Sequence, residues 1–118
     1  MVKPERVFIS IDMEGISSVV SWAEVDRNNS EYAHVRKIMA SDLNAAIEGA
    51  LEAGAKEIVV SDAHGGMRNF RPEEVHEAAH LIRGSPKRAR RGVRPQQRTG
   101  WSLRCTIGFP CRRLRRNH

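Results

Sequence analysis

The sequence predicts an α/β fold: one βαβ unit of a mostly parallel, three-layer sheet fold, followed by a disordered basic C-terminal tail. Three observations predict it. Two short apolar runs, Arg6–Ile11 and Glu57–Ser61, are rich in β-branched residues. The long segment between them repeats apolar residues every three or four positions, and Gly54 closes that segment just before the second run. Strand, long helix and strand in that order fit a right-handed parallel crossover.

The first run, Arg-Val-Phe-Ile-Ser-Ile, is flanked by polar residues and reads as a buried strand. Residues 15–29 hold Gly15, three serines and the Asn28-Asn29 pair, a loop composition. Ser30 before Glu31 is the expected N-cap of the helix. Val35, Ile38, Met39, Leu43, Ala46, Ile47, Ala50 and Leu51 then form one continuous apolar face, and Gly54 is the expected C-terminal stop. Past the second strand, Arg71–Glu77 predicts a short helix, with Pro72 in its first turn and acids near its positive end. Ala79–Arg83 predicts a third strand ended by Gly84, and no internal repeat is visible.

With 118 residues the chain has room for one domain. No stretch approaches the roughly 20 consecutive apolar residues of a membrane span, and Met1–Arg6 lacks the apolar run of a secretory signal. A cytoplasmic protein with no membrane partner is expected. The formal net charge of +6 conceals a split: residues 1–86 carry nine Lys/Arg against fourteen Asp/Glu, whereas residues 87–118 carry eleven Lys/Arg and no acid. Residues 1–86 therefore read as the folded body and residues 87–118 as an Arg-rich tail.

Ten of the tail's eleven cations are Arg, and taken as a whole its apolar residues show neither helical nor strand spacing. Dense like charge with little apolar surface predicts disorder. Three readings of the tail compete. It is a nucleic-acid-binding arm with Arg for phosphates and Trp101 or Phe109 for stacking, a merely solvated and non-specifically polyanion-binding tail, or the product of an out-of-frame read-through. Cys105 and Cys111, six positions apart, match no structural zinc spacing.

The chemistry sits where the strands end, as it does in open α/β sheets. The first strand runs into Ser10-Ile11-Asp12-Met13-Glu14-Gly15, and the second into Ser61-Asp62-Ala63-His64-Gly65-Gly66. If the strands are parallel neighbours, Asp12, Glu14 and His64 share one sheet edge. Asp12 and Glu14, two apart on extended backbone, point the same way and Met13 points into the core. Two carboxylates and an imidazole suit zinc or a similar ion, and a bridging carboxylate such as Asp12 could hold two. Asp62 is expected either to accept the second ring hydrogen of a histidine from the outer shell or to cap a loop. Gly15, Gly65 and Gly66 let the backbone turn away from the site. The competing reading makes these acids loop caps and His64 a turn residue. His34, His76 and His80 have weaker claims: His34 lies off the apolar stripe, and His76 and His80, four apart, lack a zincin-type Glu.

Ser10-Ile11-Asp12-Met13-Glu14-Gly15-Ile16, followed some fifty residues later by Ser61-Asp62-Ala63-His64, resembles the start of the zinc D-aminopeptidase family found with dipeptide-transport operons. Tyr32, Arg36 and Met39 on the intervening helix and Ala79–Gly84 are similar to that family too, so the resemblance covers residues 6–86. It implies that Asp12, Glu14 and His64 are ligands of a two-zinc centre, of which at most a part is present here. It also implies metal-assisted hydrolysis of short peptides with N-terminal D-amino acids, and homo-oligomeric assembly. Complete members add a further histidine ligand in a Gly-Tyr-His-Ala-like element, a catalytic histidine and a later glutamate ligand. None has a counterpart here: past Lys87 the sole histidine is His118 and there is no acid. The resemblance therefore leads to a truncated or frameshifted member, inactive and poorly stable alone, with no catalytic residue assigned. Two alternatives remain: a nucleic-acid-binding protein acting through its tail, and a βαβ interaction module without chemistry.

Overall fold

The computed structural model describes residues 5–85 and 102–107. Strand β1 spans Arg6–Ile11, helix α1 Tyr32–Glu52, strand β2 Glu57–Asp62 and strand β3 Ala79–Ile82; strand β4 spans Ser102–Ile107. The four strands form one sheet in the order β3-β2-β1-β4, every pair parallel. This is the α/β architecture expected, with the sheet and, among the described residues, one helical layer on it.

The core lies between α1 and one face of the sheet. Val7, Ile9 and Ile11 of β1 and Ile58 and Val60 of β2 are buried, and so are Val35, Met39, Leu43 and Ile47 of α1. The helix spacing of three and four residues matches the two-residue alternation of the strands across this interface. Leu51 is the exception to the expected stripe: it is 36% exposed, because the helix ends one residue later, beyond the sheet contact.

Both ends of α1 refine the sequence reading. Ser30 does not cap the helix. Glu31 occupies the cap with helical backbone angles, and Asn29 Oδ1 instead accepts the Glu31 amide at 2.9 Å. The chain already turns through residues 27–31, so the side chain two residues before Glu31 meets the free amide rather than Ser30. At the other end Gly54 adopts φ of 97°. Its amide donates to Leu51 O at 3.0 Å and the Ala55 amide to Ala50 O at 3.0 Å, the paired bonds of a Schellman stop.

Two further expectations change. The short helix at Arg71–Glu77 is a single 3₁₀ turn, Pro72–Glu74, because Val75 already has extended angles. The expectation of disorder throughout residues 87–118 fails at β4, where Leu103, Cys105 and Ile107 align with Val7, Ile9 and Ile11 of β1. Counting the tail as a whole hid this local alternation of period two. The rest of that tail, with Trp101, Phe109 and Cys111, lies outside the described residues.

Candidate metal centre

The parallel register of β1 and β2 pairs Ile11 with Asp62, so both chains leave the sheet side by side. The Asp12 amide donates to Ile107 O at 3.0 Å and the Ala63 amide to Ile11 O at 2.9 Å, which extends the ladder one step past each strand. Met13 is fully buried and acts as the pivot between the two acids. Gly15, with φ of 85°, then takes the chain away.

His64 sits between the two carboxylates. Its Nδ1 lies 3.0 Å from Asp12 Oδ1 and 3.2 Å from Glu14 Oε2. One donor atom from each of the three residues lies within 4.8 Å of the others, the group of three that could hold an ion among the described residues. The other ring nitrogen, Nε2, donates to the Val25 carbonyl at 2.8 Å. Val25 is buried and ends a 3₁₀ turn, Trp22–Val25, whose start is capped by Ser21 Oγ accepting the Ala23 amide at 3.1 Å.

The charges follow from this packing. The hydrogen bond to Asp12 does most to push the His64 imidazole up to about 9; burial opposes it, and the Val25 carbonyl and both carboxylates assist. Burial works to raise the Asp12 carboxyl, yet bonds with His64, Glu14 and the Met13 amide outweigh it and hold Asp12 below its ordinary range. Burial first, and then the Asp12 carboxylate beside it, push Glu14 up. The pair of acids thus converges on one positive N–H.

Those residues fit a zinc ion. An imidazole that offers Nδ1 inward while Nε2–H is pinned to a backbone carbonyl is the usual arrangement of a metal-bound histidine. Two carboxylate oxygens complete an N,O donor set suited to zinc. Asp12, Glu14 and His64 are therefore brought together as the sequence expected.

Asp62 is placed differently from one of its two expected roles. The His64 ring nitrogens bond elsewhere: Val25 O occupies Nε2, and the carboxylates of Asp12 and Glu14 face Nδ1. Asp62 is fully buried and caps the following loop: Oδ2 accepts the Asn69 amide at 2.6 Å and the Phe70 amide at 3.0 Å, and Oδ1 accepts from Asn69 Nδ2 at 2.7 Å. The weaker candidates stay apart. His34 is exposed on α1 and His80 on β3, while His76 Nδ1 accepts the Ala78 amide at 3.0 Å within its own turn. The sequence reading missed the Val25 carbonyl, which has no side-chain signal. It also missed Asn69, whose signal is an amide side chain next to the buried Phe70.

The sequence profile of the D-aminopeptidase family matches residues 6–94. The chain belongs to the D-aminopeptidase family. A D-aminopeptidase of Bacillus subtilis (strain 168) is 37% identical over 82 residues, covering 70% of this chain and 30% of the relative. Among solved structures, the Zn-dependent D-aminopeptidase DppA from Bacillus subtilis, described as a self-compartmentalizing protease, superposes with a TM-score of 0.67 at 36% identity. That match covers 70% of this chain and 30% of DppA. The chain thus spans about a third of the length of these relatives. The nucleic-acid alternative receives no support from the comparisons. No helix among the described residues is long and apolar enough to cross a membrane.

Proposed function

We propose that this chain holds zinc through Asp12, Glu14 and His64 as the N-terminal portion of a D-aminopeptidase centre acting on short peptides with N-terminal D-amino acids. The convergence of the three donors at the ends of β1 and β2 carries the reading. Zinc bound there would polarise a peptide carbonyl and lower the pKa of water. The protein's own residues prepare that chemistry. Asp12, kept ionised, and Glu14 supply carboxylate oxygens and negative charge; Val25 O fixes which ring nitrogen of His64 faces the site.

The count of ions follows from the resemblance. Its further histidine and glutamate ligands and its catalytic histidine have no counterpart in this sequence, so we infer one partial site that binds metal without turnover by the chain alone. Self-assembly, as in the self-compartmentalizing relative, and a cytoplasmic setting belong to the same proposal. Zinc-loaded protein offered D-alanyl peptides tests it. The expected result is stoichiometric zinc with no hydrolysis above that of free zinc. Robust metal-dependent turnover by the 118-residue chain would refute the inference of inactivity, and absence of zinc binding would refute the centre.

A further inference from the structure

His64 is held by its backbone as well as by its ring, and one side chain does the holding. Asn69 is 4% exposed and lies in the loop that follows β2. Its Nδ2 donates twice, to Asp62 Oδ1 at 2.7 Å and to the His64 carbonyl at 2.7 Å. Its Oδ1 accepts the hydroxyl of Tyr32, the first residue of α1. Its own amide is taken by Asp62 Oδ2. Every hydrogen-bonding position of the Asn69 side chain facing the site therefore has a partner.

The orientation of that amide is dictated by Asp62 and His64. A carboxylate and a carbonyl accept only, so both require Nδ2, and this turns Oδ1 toward α1, where it accepts the Tyr32 hydroxyl. Flipping the amide would lose both Nδ2 bonds and set Oδ1 against two acceptors. The turn it fixes is further constrained. The Met67 amide donates to the same His64 carbonyl at 2.8 Å, and Met67 adopts φ of 60°, a left-handed angle that a methionine rarely takes without surrounding bonds to impose it.

We propose that Asn69, oriented by Asp62 and anchored to α1 by Tyr32, is the positioning residue of the metal centre: it sets the height and direction of His64 so that Nδ1 meets Asp12 and Glu14. Asn69 touches no reacting atom; it acts through the His64 backbone. The proposal rests on the reading of Asp12, Glu14 and His64 as zinc ligands, but the ring's placement can be measured without metal. A side chain that orients a ligand from outside typically changes metal affinity about 10–100-fold when altered.

The test uses two variants of the full chain. Tyr32→Phe removes only the hydroxyl that anchors Asn69 Oδ1 to α1. The double exchange Asp62→Asn with Asn69→Asp keeps a mutual bond and the caps on residues 69 and 70, yet leaves no side-chain donor for the His64 carbonyl. Zinc affinity is read by competition with a chromophoric chelator. The His64 ring state is read by nitrogen NMR of the metal-free protein, and thermal unfolding of the metal-free protein reports the fold. Expected are an approximately tenfold loss of zinc affinity in Tyr32→Phe and a larger loss in the exchange variant, each with an altered His64 ring signal and a retained unfolding transition. Zinc affinity within twofold of the parent in both variants, or losses that merely track the fraction unfolded, would overturn the proposal. Parent protein that binds no zinc, with the His64 signal still shifted by the variants, would refute the zinc reading and leave the positioning role standing.

Discussion

At the scale of single residues, the site is a competition between a proton and a cation for the same three donors. The His64 imidazole, raised from 6.5 to about 9 chiefly by its bond to Asp12, is protonated at neutral pH when no metal is present. Its folded pKa lies above the unfolded value, so the stability it contributes is fully present below about pH 6.5 and lost as pH rises through about 9. Zinc needs the unprotonated ring. Its apparent affinity should therefore rise about tenfold per pH unit between pH 7 and 8 and level off above about 9. Competition titrations across that range check this, and a pH-independent affinity would contradict His64 as a ligand. The ligand types and their spacing were legible in Asp12-Met13-Glu14 and in His64 because the two-residue period of extended backbone places both acids on one side. The Val25 carbonyl was not legible, since any residue has one. Asp62 was half legible: an acid after a strand reads equally as a ligand support or a loop cap, and only the position of the residue 69–70 amides decides for the cap.

At the scale of elements, α1 connects the core to the site. Its buried stripe packs on β1 and β2, and its outer residues clamp the loops that carry the ligands. Arg36 Nη1 bonds both oxygens of Glu74 at 2.8 and 2.9 Å and reaches Asn69 O at 3.3 Å. Asn44 holds the Glu74 carbonyl and the His76 amide. The helix must stop on time for β2 to begin, and Gly54 ensures it. Gly54→Ala forces a side chain into φ of 97° and should lower stability by about 1 kcal/mol, measured by urea unfolding with an unchanged slope. No loss of stability would show that the chain stops by another route. The helix, its face and its end were legible because 3.6-residue spacing and a terminal glycine are local signals. Its start was not, because the turn through residues 27–31 offers several polar side chains and the winner depends on backbone direction.

At the scale of the molecule, the charge split and the fold divide at different places. The Arg-rich segment contributes β4, which flanks β1 and supplies the Ile107 carbonyl to the Asp12 amide. An edge strand that closes over the ligand-bearing strand should matter to both stability and metal. Removing residues 102–118 uncovers β1 and frees the Asp12 amide, so zinc should bind several-fold more weakly and unfolding should occur at lower denaturant concentration. Unchanged values for both would show that β4 contributes nothing to the site. β1 and β2 were legible as compact β-branched runs, and β3 as a short apolar run ended by Gly84. β4 was not legible because the surrounding arginines dominate the composition, whereas the strand, in register with β1 over six residues, is marked in sequence only by the alternation of Leu103, Cys105 and Ile107.

Whether zinc is held by Asp12, Glu14 and His64 is decided by the X-ray absorption spectrum of the zinc-loaded chain. Nitrogen and oxygen ligands lie about 2.0–2.2 Å from zinc and thiolates about 2.3 Å. The expected spectrum shows nitrogen and oxygen ligands with one imidazole and no sulfur, and the imidazole signal is lost in His64→Ala. A sulfur shell from Cys105 or Cys111, or an unchanged spectrum in His64→Ala, would contradict that ligand set.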